Sequence, residues 1–382
     1  MSASRMDQYR SCHFSYFMRY GLKAEPRRPA GFTAPEYGTF VHYVLETVLQ
    51  DDLFRQTALP GMERTYGAAE RARLRELTQQ AVDRYVAEEL GGLEGQSDRF
   101  RYLFQRLLRS VQAVVDNVAE ELLASQFRPI AFELGFGRRE DLPPVELTVD
   151  GVTISVSGFV DRVDGWVHDG RLYLRVVDYK TGRKSFDLTE VWNGLGLQML
   201  LYLFTLEERG ESLYGIPVEG AGVLYLPARD ALVRGSRTMS DELWRKEVNK
   251  ELKRSGLVLD DPAVLEAMES SGQGDYRFLP LKVSKSTGEI SGEALVSAER
   301  LGRLGRHIQH VLEEICRELA RGNVSADPYW RGPEKNACRY CDYAAACHFE
   351  EGRGSDCRRW LHKVSAQEFW ERMERDEDEG DL

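Results

Sequence analysis

The sequence predicts a mixed α/β fold: a partly antiparallel sheet flanked by helices, with helical insertions and a cysteine-bound cap at the C-terminal end. Three observations predict it. Downstream of Pro129 the chain breaks into short runs rich in Val, Leu and Ile, separated by turn signals. A helical stretch at 187–208 then precedes a strand-like run at 219–227, and strand–helix–strand order builds α/β cores. No internal repeat or low-complexity linker divides the 382 residues. One domain is therefore expected over 1–367. Its parts are an N-terminal cysteine helix and loop (1–36), a helical region (37–128), a catalytic core (129–235), a helical insertion (236–325) and the cysteine cap (326–367). Residues 368–382 form an acidic tail.

The elements follow from spacing. Residues 4–20 read as one helix capped by Ser2 or Ser4, with Met6, Tyr9, Phe14 and Phe17 apolar and Cys12 in the middle. GLKAEPRRPAG (21–31) breaks it. Residues 35–52 form a second helix with Phe40, Val44, Leu45 and Val48 inward and His42 within it. The patterns at 68–90 and 98–126 are long helices suited to lining a groove. Asp150-Gly151 and His168-Asp169-Gly170 are hairpin turns, so three to four antiparallel strands follow one another. Residues 240–254 and 260–270 read as charged helices, 274–290 as an exposed hairpin, and 293–321 as an amphipathic helix containing Cys316.

The net charge is −11, but the tail alone contributes −6 from eight acids and two arginines. The tail is expected to be solvated and mobile. The overall balance argues against tight, sequence-blind coating of duplex DNA, while leaving room for a locally basic groove. No run of eighteen apolar residues is present. The first residues, MSASRMDQYRSC, lack the apolar stretch of a signal peptide. A cytoplasmic location is expected. Six cysteines in a chain of this length fit metal or cluster binding better than a secreted disulfide scaffold.

The chemistry concentrates in Gly158–Gly182, GFVDRVDGWVHDGRLYLRVVDYKTG. Residues i and i+2 of a strand share a face, so Asp178 and Lys180 point together with Tyr179 turned away. Hairpin pairing brings Asp161 beside them. Two carboxylates and an amine on one face suit a hard cation and a phosphodiester. Asp161 and Asp178 are the expected Mg²⁺ (or Mn²⁺) ligands, with the Tyr179 backbone carbonyl as a third. Lys180 would orient the attacking water or neutralise developing charge. His42 is a candidate to complete the metal shell. Glu133, on the strand entering the sheet, is an additional acidic candidate. Gln198 and Tyr202 lie one helical turn apart on one side of their helix.

Cys338-x2-Cys341-x5-Cys347 is a ligand-like spacing that lacks a fourth thiolate. Cys357, Cys316 and Cys12 all qualify by chemistry, and zinc and a [4Fe–4S] cluster are both allowed.

GFVDRVD (158–164), VVDYKTG (176–182), QMLLY (198–202) and GTFVHYVLE (38–46) resemble the motifs of the PD-(D/E)XK superfamily in its RecB-like branch. The resemblance implies a restriction-endonuclease-like core in which His42, Asp161, Asp178 and Lys180 bind metal and perform hydrolysis, and Gln198 and Tyr202 help place DNA; Arg162 is a further expected DNA contact. The N-terminal SASRMDQYRSCHFSYFMRYGL and the terminal CRYCDYAAAC are similar to AddB-type iron–sulfur nuclease domains. That likeness implies a [4Fe–4S] cluster on Cys12, Cys338, Cys341 and Cys347, pinning the two ends of the domain together. It also implies single-strand exonuclease action in double-strand break processing, beside an AddA-like helicase partner. The chain contains no G-x-x-x-x-G-K-[ST] phosphate loop, so ATP-driven unwinding is not expected of it. It reads as a C-terminal domain, a truncated frame or a free-standing relative. The competing functions are a CRISPR-adaptation-type nuclease and a non-catalytic DNA-binding module of the same fold.

Overall fold

The computed structural model describes residues 1–26, 34–55, 66–92, 94, 97–235, 238–270, 276–284 and 286–380. Part of the expected 21–31 loop lies outside the described residues. Helix α1 (Ala3–Ser11) starts where the Ser2 hydroxyl accepts the Arg5 N–H. The expected 4–20 helix is broken: Cys12 is extended (φ −170°, ψ 123°) and separates α1 from α2 (His13–Tyr16). A wide π turn, Phe17–Gly21, follows. Helices α3 (Ala34–Leu49), α4 (Asp52–Arg55), α5 (Ala68–Glu88) and α6 (Asp98–Ala124) make up the helical region.

The strands β1 (Arg128–Phe136), β2 (Val145–Val149), β3 (Val152–Val156), β4 (Gly158–His168) and β5 (Arg171–Lys180) come next. They lead to α7 (Leu188–Trp192), α8 (Gln198–Tyr214), β6 (Val218–Pro227), α9 (Asp241–Glu251), β7 (Ser255–Leu259) and α10 (Pro262–Met268). Short strands β8 (Lys282–Val283), β9 (Ile290–Ser291) and β10 (Leu295–Val296) precede α11 (Ala298–Ala320). The chain ends in β11 (Tyr329–Trp330), α12 (Ala344–Cys347), β12 (Arg359–Trp360) and α13 (Ala366–Gly380).

The central sheet runs β1-β4-β5-β6-β7-β10. β1, β4 and β5 are antiparallel neighbours, β5 pairs parallel with β6, and β7 pairs antiparallel with β6 and parallel with β10. This is the mixed sheet flanked by helices that the sequence predicts. β2 and β3 depart from the expected antiparallel series by forming a separate ribbon.

Both sheet faces are buried. α1, α8, α11 and α13 cover one face around Val160, Val176 and Val223. α3, α5 and α6 cover the other around Val177, Tyr179 and Leu226. Burial on both faces explains why β5 and β6 read as nearly continuous apolar runs.

Three expectations are corrected. The segment 236–325 is not a helical insertion, because β7 and β10 inside it extend the central sheet. The 274–290 hairpin does form through β8 and β9, but Phe278 is buried, and Tyr276, Leu279 and Leu281 are buried against α10 and β7. The acidic tail is helical as far as Gly380 within α13, and its Phe369, Trp370 and Met373 are buried. Phe369 packs edge-on to Trp192 of α7 at 5.9 Å. Among the described residues no helix is long and apolar enough to cross a membrane.

Candidate active site and cysteine cavity

The hairpin of β4 and β5 positions the acids. Arg162 pairs with Val177, which sets Asp161 across from Asp178. The Asp161 carboxylate accepts the Tyr179 backbone N–H at 2.7 Å. Lys180 Nζ lies 2.5 Å from the Asp178 carboxylate, so the two share a face. Tyr179 turns to the opposite face, as strand alternation requires, and is buried beneath α3. The Lys180 ammonium also lies 5.6 Å from the centre of the Tyr225 ring, a cation–π contact that restrains it. Tyr225 escapes sequence reasoning because it sits on the neighbouring strand β6 with no motif around it.

α3 brings His42 over the end of β5. Its Nδ1 is 3.5 Å from Asp161 Oδ1, and its Nε2 is 3.2 Å from the Tyr179 carbonyl oxygen. Glu133 enters from β1, whose pairs Phe132–Arg162 and Leu134–Val160 bracket Asp161. Ligand atoms of His42, Glu133 and Asp161 lie within 4.8 Å of one another. Glu133 therefore belongs to the centre of the site. It adopts φ +45°, a left-handed conformation rarely taken by a non-glycine residue inside a strand and typical of residues held for function. Sequence gives no signal for that conformation.

The acids repel one another. Burial first, then the charge of Asp178, pushes Asp161 up to about 7. Burial likewise raises Glu133, with Glu46 and Asp178 adding to it. One Asp178 oxygen is buried and, apart from its ion pair with Lys180, accepts no well-formed hydrogen bond among the described residues. A pocket of under-compensated carboxylates with an imidazole and a carbonyl is a donor set that fits Mg²⁺ or Mn²⁺.

Gln198 and Tyr202 also reach this side. Gln198 Nε2 donates to the Tyr202 hydroxyl at 3.5 Å. The Tyr202 ring is buried and stacked on Phe136, with centroids 5.1 Å apart. Its hydroxyl comes so close to Gly158 that a Cβ there would sit 1.8 Å from it, which requires glycine at the head of β4. The Tyr202 ring is thus closed to base stacking, while Gln198 remains partly accessible. Arg162 is a correction. It is fully buried on the α6 side, bound to Asp164 at 2.8 Å, and cannot contact DNA. It stands next to Asp161 in sequence, but strand alternation sends it to the other face.

The cysteines divide in two. Cys12, Cys338, Cys341 and Cys347 line one cavity of about 680 Å³ between the N-terminal helices and the C-terminal cap. Burial raises the Cys338 thiol to about 11, and the neighbouring Cys12, Cys341 and Cys347 push it the same way. Cys316 is buried in α11, its thiol directed at the Val152 carbonyl, and Cys357 is exposed. Neither lines the cavity.

Comparison with known proteins agrees with this geometry. The chain is 31% identical over 379 residues to an ATP-dependent helicase/deoxyribonuclease subunit of Acetivibrio thermocellus. The match covers 99% of this chain and 32% of that protein. The corresponding subunits from Clostridium novyi and Clostridium acetobutylicum are 31% and 30% identical, over 99% and 100% of this chain and 33% and 32% of theirs. The chain spans about a third of the length of these curated relatives. Residues 1–348 match the PD-(D/E)XK nuclease superfamily. A mixed sheet bearing Asp161, Asp178 and Lys180 on one face carries that family's motif in the strands expected of it, and the chain belongs to the PD-(D/E)XK nuclease superfamily.

Proposed function

We propose that this chain is a metal-dependent deoxyribonuclease that degrades single strands from their ends, processing double-strand breaks beside an AddA-like helicase partner. The convergence of His42, Glu133 and Asp161, next to the Asp178–Lys180 pair, carries the reading. The name shared by the relatives, that of a helicase/deoxyribonuclease, supports the helicase partnership.

His42, Asp161, Asp178 and the Tyr179 carbonyl would hold the cation, with Glu133 as a further ligand. Mg²⁺ or Mn²⁺ bound there supplies charge relief to the phosphoryl oxygens and a more acidic water. Asp161 is fixed by the Tyr179 N–H before any cation arrives. Lys180, held between Asp178 and Tyr225, presents an ammonium to the phosphoryl oxygens on the same face. Gln198 orients the strand.

The test is cleavage of 5′- and 3′-labelled single strands by the purified chain. Mg²⁺-dependent release of nucleotides from one end is expected, abolished by EDTA and restored by added Mg²⁺ or Mn²⁺. Asp161 must be ionised to hold the cation, and its pKa is raised from 3.8 to about 7. Activity at fixed Mg²⁺ should therefore fall as pH drops from about 8 to about 6, and extra cation should partly restore it. Absence of cleavage with any divalent cation would favour the non-catalytic DNA-binding module.

We further propose that Cys12, Cys338, Cys341 and Cys347 hold a [4Fe–4S] cluster. The shared cavity supports a group of that bulk. Anaerobically purified protein should be brown with stoichiometric iron, and Cys12→Ala should lose the colour. A colourless protein carrying zinc would overturn the cluster.

A further inference from the structure

We propose that Asp7 is a positioning residue for the DNA strand: through its carboxylate, helix α1 sets the start of α8 and with it Gln198. The inference rests on the nuclease reading of the site. α8 begins without a side-chain cap of its own, its N-cap being Leu197. The loop before it, Asn193–Gly196, turns on two left-handed glycines, Gly194 at φ +78° and Gly196 at φ +67°. Asn193, Gly194 and Leu195 donate their N–H groups back to the Glu190 and Val191 carbonyls of α7, which leaves the Gly196 N–H to an acceptor from outside the loop. Asp7, four residues inside α1, supplies it by accepting the Gly196 N–H at 3.0 Å. Burial raises the Asp7 pKa to about 6, while Lys184 and the N–H groups of Gly196 and Leu197 favour its ionised form.

Arg10, one turn further along α1, lies against the same loop. A Cβ on Gly194 would sit 2.7 Å from Arg10 Nε. Arg10 is itself fixed to Glu314 of α11 at 2.6 Å. So α1 is anchored on one side and grips the 193–196 loop on the other. Two residues past Gly196 stands Gln198, whose amide meets the Tyr202 hydroxyl beside Gly158 of β4. The helix that ends at Ser11 thereby fixes the group that faces the strand.

The test is a double-mutant cycle in the full chain, using Asp7→Ala, Asp7→Asn, Gln198→Ala and Asp7→Ala with Gln198→Ala. The first readout is affinity for a fluorescent single-stranded oligonucleotide in Ca²⁺. The second is Mg²⁺-dependent hydrolysis of bis(p-nitrophenyl) phosphate, which needs the metal centre and no strand placement. Asp7→Ala should weaken strand binding about tenfold and leave hydrolysis of the small diester within about twofold. Asp7→Asn, which keeps an acceptor oxygen for Gly196, should restore binding. The double variant should bind no worse than Gln198→Ala. Equal loss on both substrates, additive losses in binding, or unchanged binding by Asp7→Ala would each overturn the proposal. A parent protein that hydrolyses nothing would sink the nuclease reading, and the binding cycle would still decide the role of Asp7.

Discussion

Lys180→Ala is expected to lower Mg²⁺-dependent cleavage by about a hundred- to ten-thousandfold while leaving the protein folded. The size follows from where the ammonium sits. It forms an ion pair with Asp178, which is almost buried beneath it. A positive group in a partly dry cleft stabilises developing phosphoryl charge far more than the same group in water. The expected integrity follows from exposure. Lys180 is a third exposed and ends its strand, so its loss removes no core packing. Asp178→Asn should lose as much activity for another reason, since it removes a carboxylate while keeping the shape. Lys180→Arg keeps the charge but widens the group, and against the Tyr225 ring it should recover little. Single-turnover rates at saturating Mg²⁺, with thermal unfolding as control, check all three. Full activity in Lys180→Ala would reduce the Asp178–Lys180 pair to a surface ion pair and remove it from the mechanism.

The sequence disclosed this site unevenly, for physical reasons. Asp178 and Lys180 were legible because strand alternation is a strict period of two, and Asp161 followed through hairpin pairing. The same rule excludes Arg162 as a DNA contact. Strand neighbours point to opposite faces, and a charge beside Asp161 is thereby directed under α6. His42 needed the motif resemblance, because a histidine inside a helix reveals nothing about the strand it will meet. Glu133 lay deeper than expected because its left-handed backbone has no sequence signature. β7 carries no clear strand signal because SGLVL, short and unalternating, follows directly on a charged helix. In α13 the many acids masked an apolar stripe, and Phe369, Trp370 and Met373 recur at the spacing of one helical face. Composition averages over a helix, whereas burial selects one side of it.

Glu121→Ala is expected to cost about 3–5 kcal/mol of folding stability, the scale of breaking a buried ion pair by removing one partner. Glu121 projects from α6 under the sheet and is 2% exposed. Arg254 binds it at 2.7 Å, and Arg175 and Arg162 lie 3.7 and 3.9 Å away. Asp164 binds both Arg162 and Arg175 at 2.8 Å. Three guanidinium groups thus share two carboxylates in a region that excludes water. Deleting Glu121 leaves Arg254 without the carboxylate it binds and Arg162 and Arg175 on Asp164 alone, adding mutual repulsion to lost desolvation compensation. Burial alone would raise the Glu121 pKa, but the charges of Arg254, Arg175 and Arg162 hold it at about 2. A carboxyl depressed from 4.5 stabilises the fold above its unfolded pKa, and that contribution disappears as pH falls from about 4.5 to about 2. Glu121→Gln should therefore flatten the acid limb of the stability profile, which urea unfolding across that range would measure. The network also reaches the site: Arg162 donates to the Tyr179 hydroxyl at 3.4 Å, and the Tyr179 backbone N–H holds Asp161. If Glu121→Gln stayed folded at neutral pH but required more Mg²⁺ for half-maximal cleavage, the buried charges would be acting through Tyr179 on the metal donors. An unchanged Mg²⁺ requirement would confine them to stability.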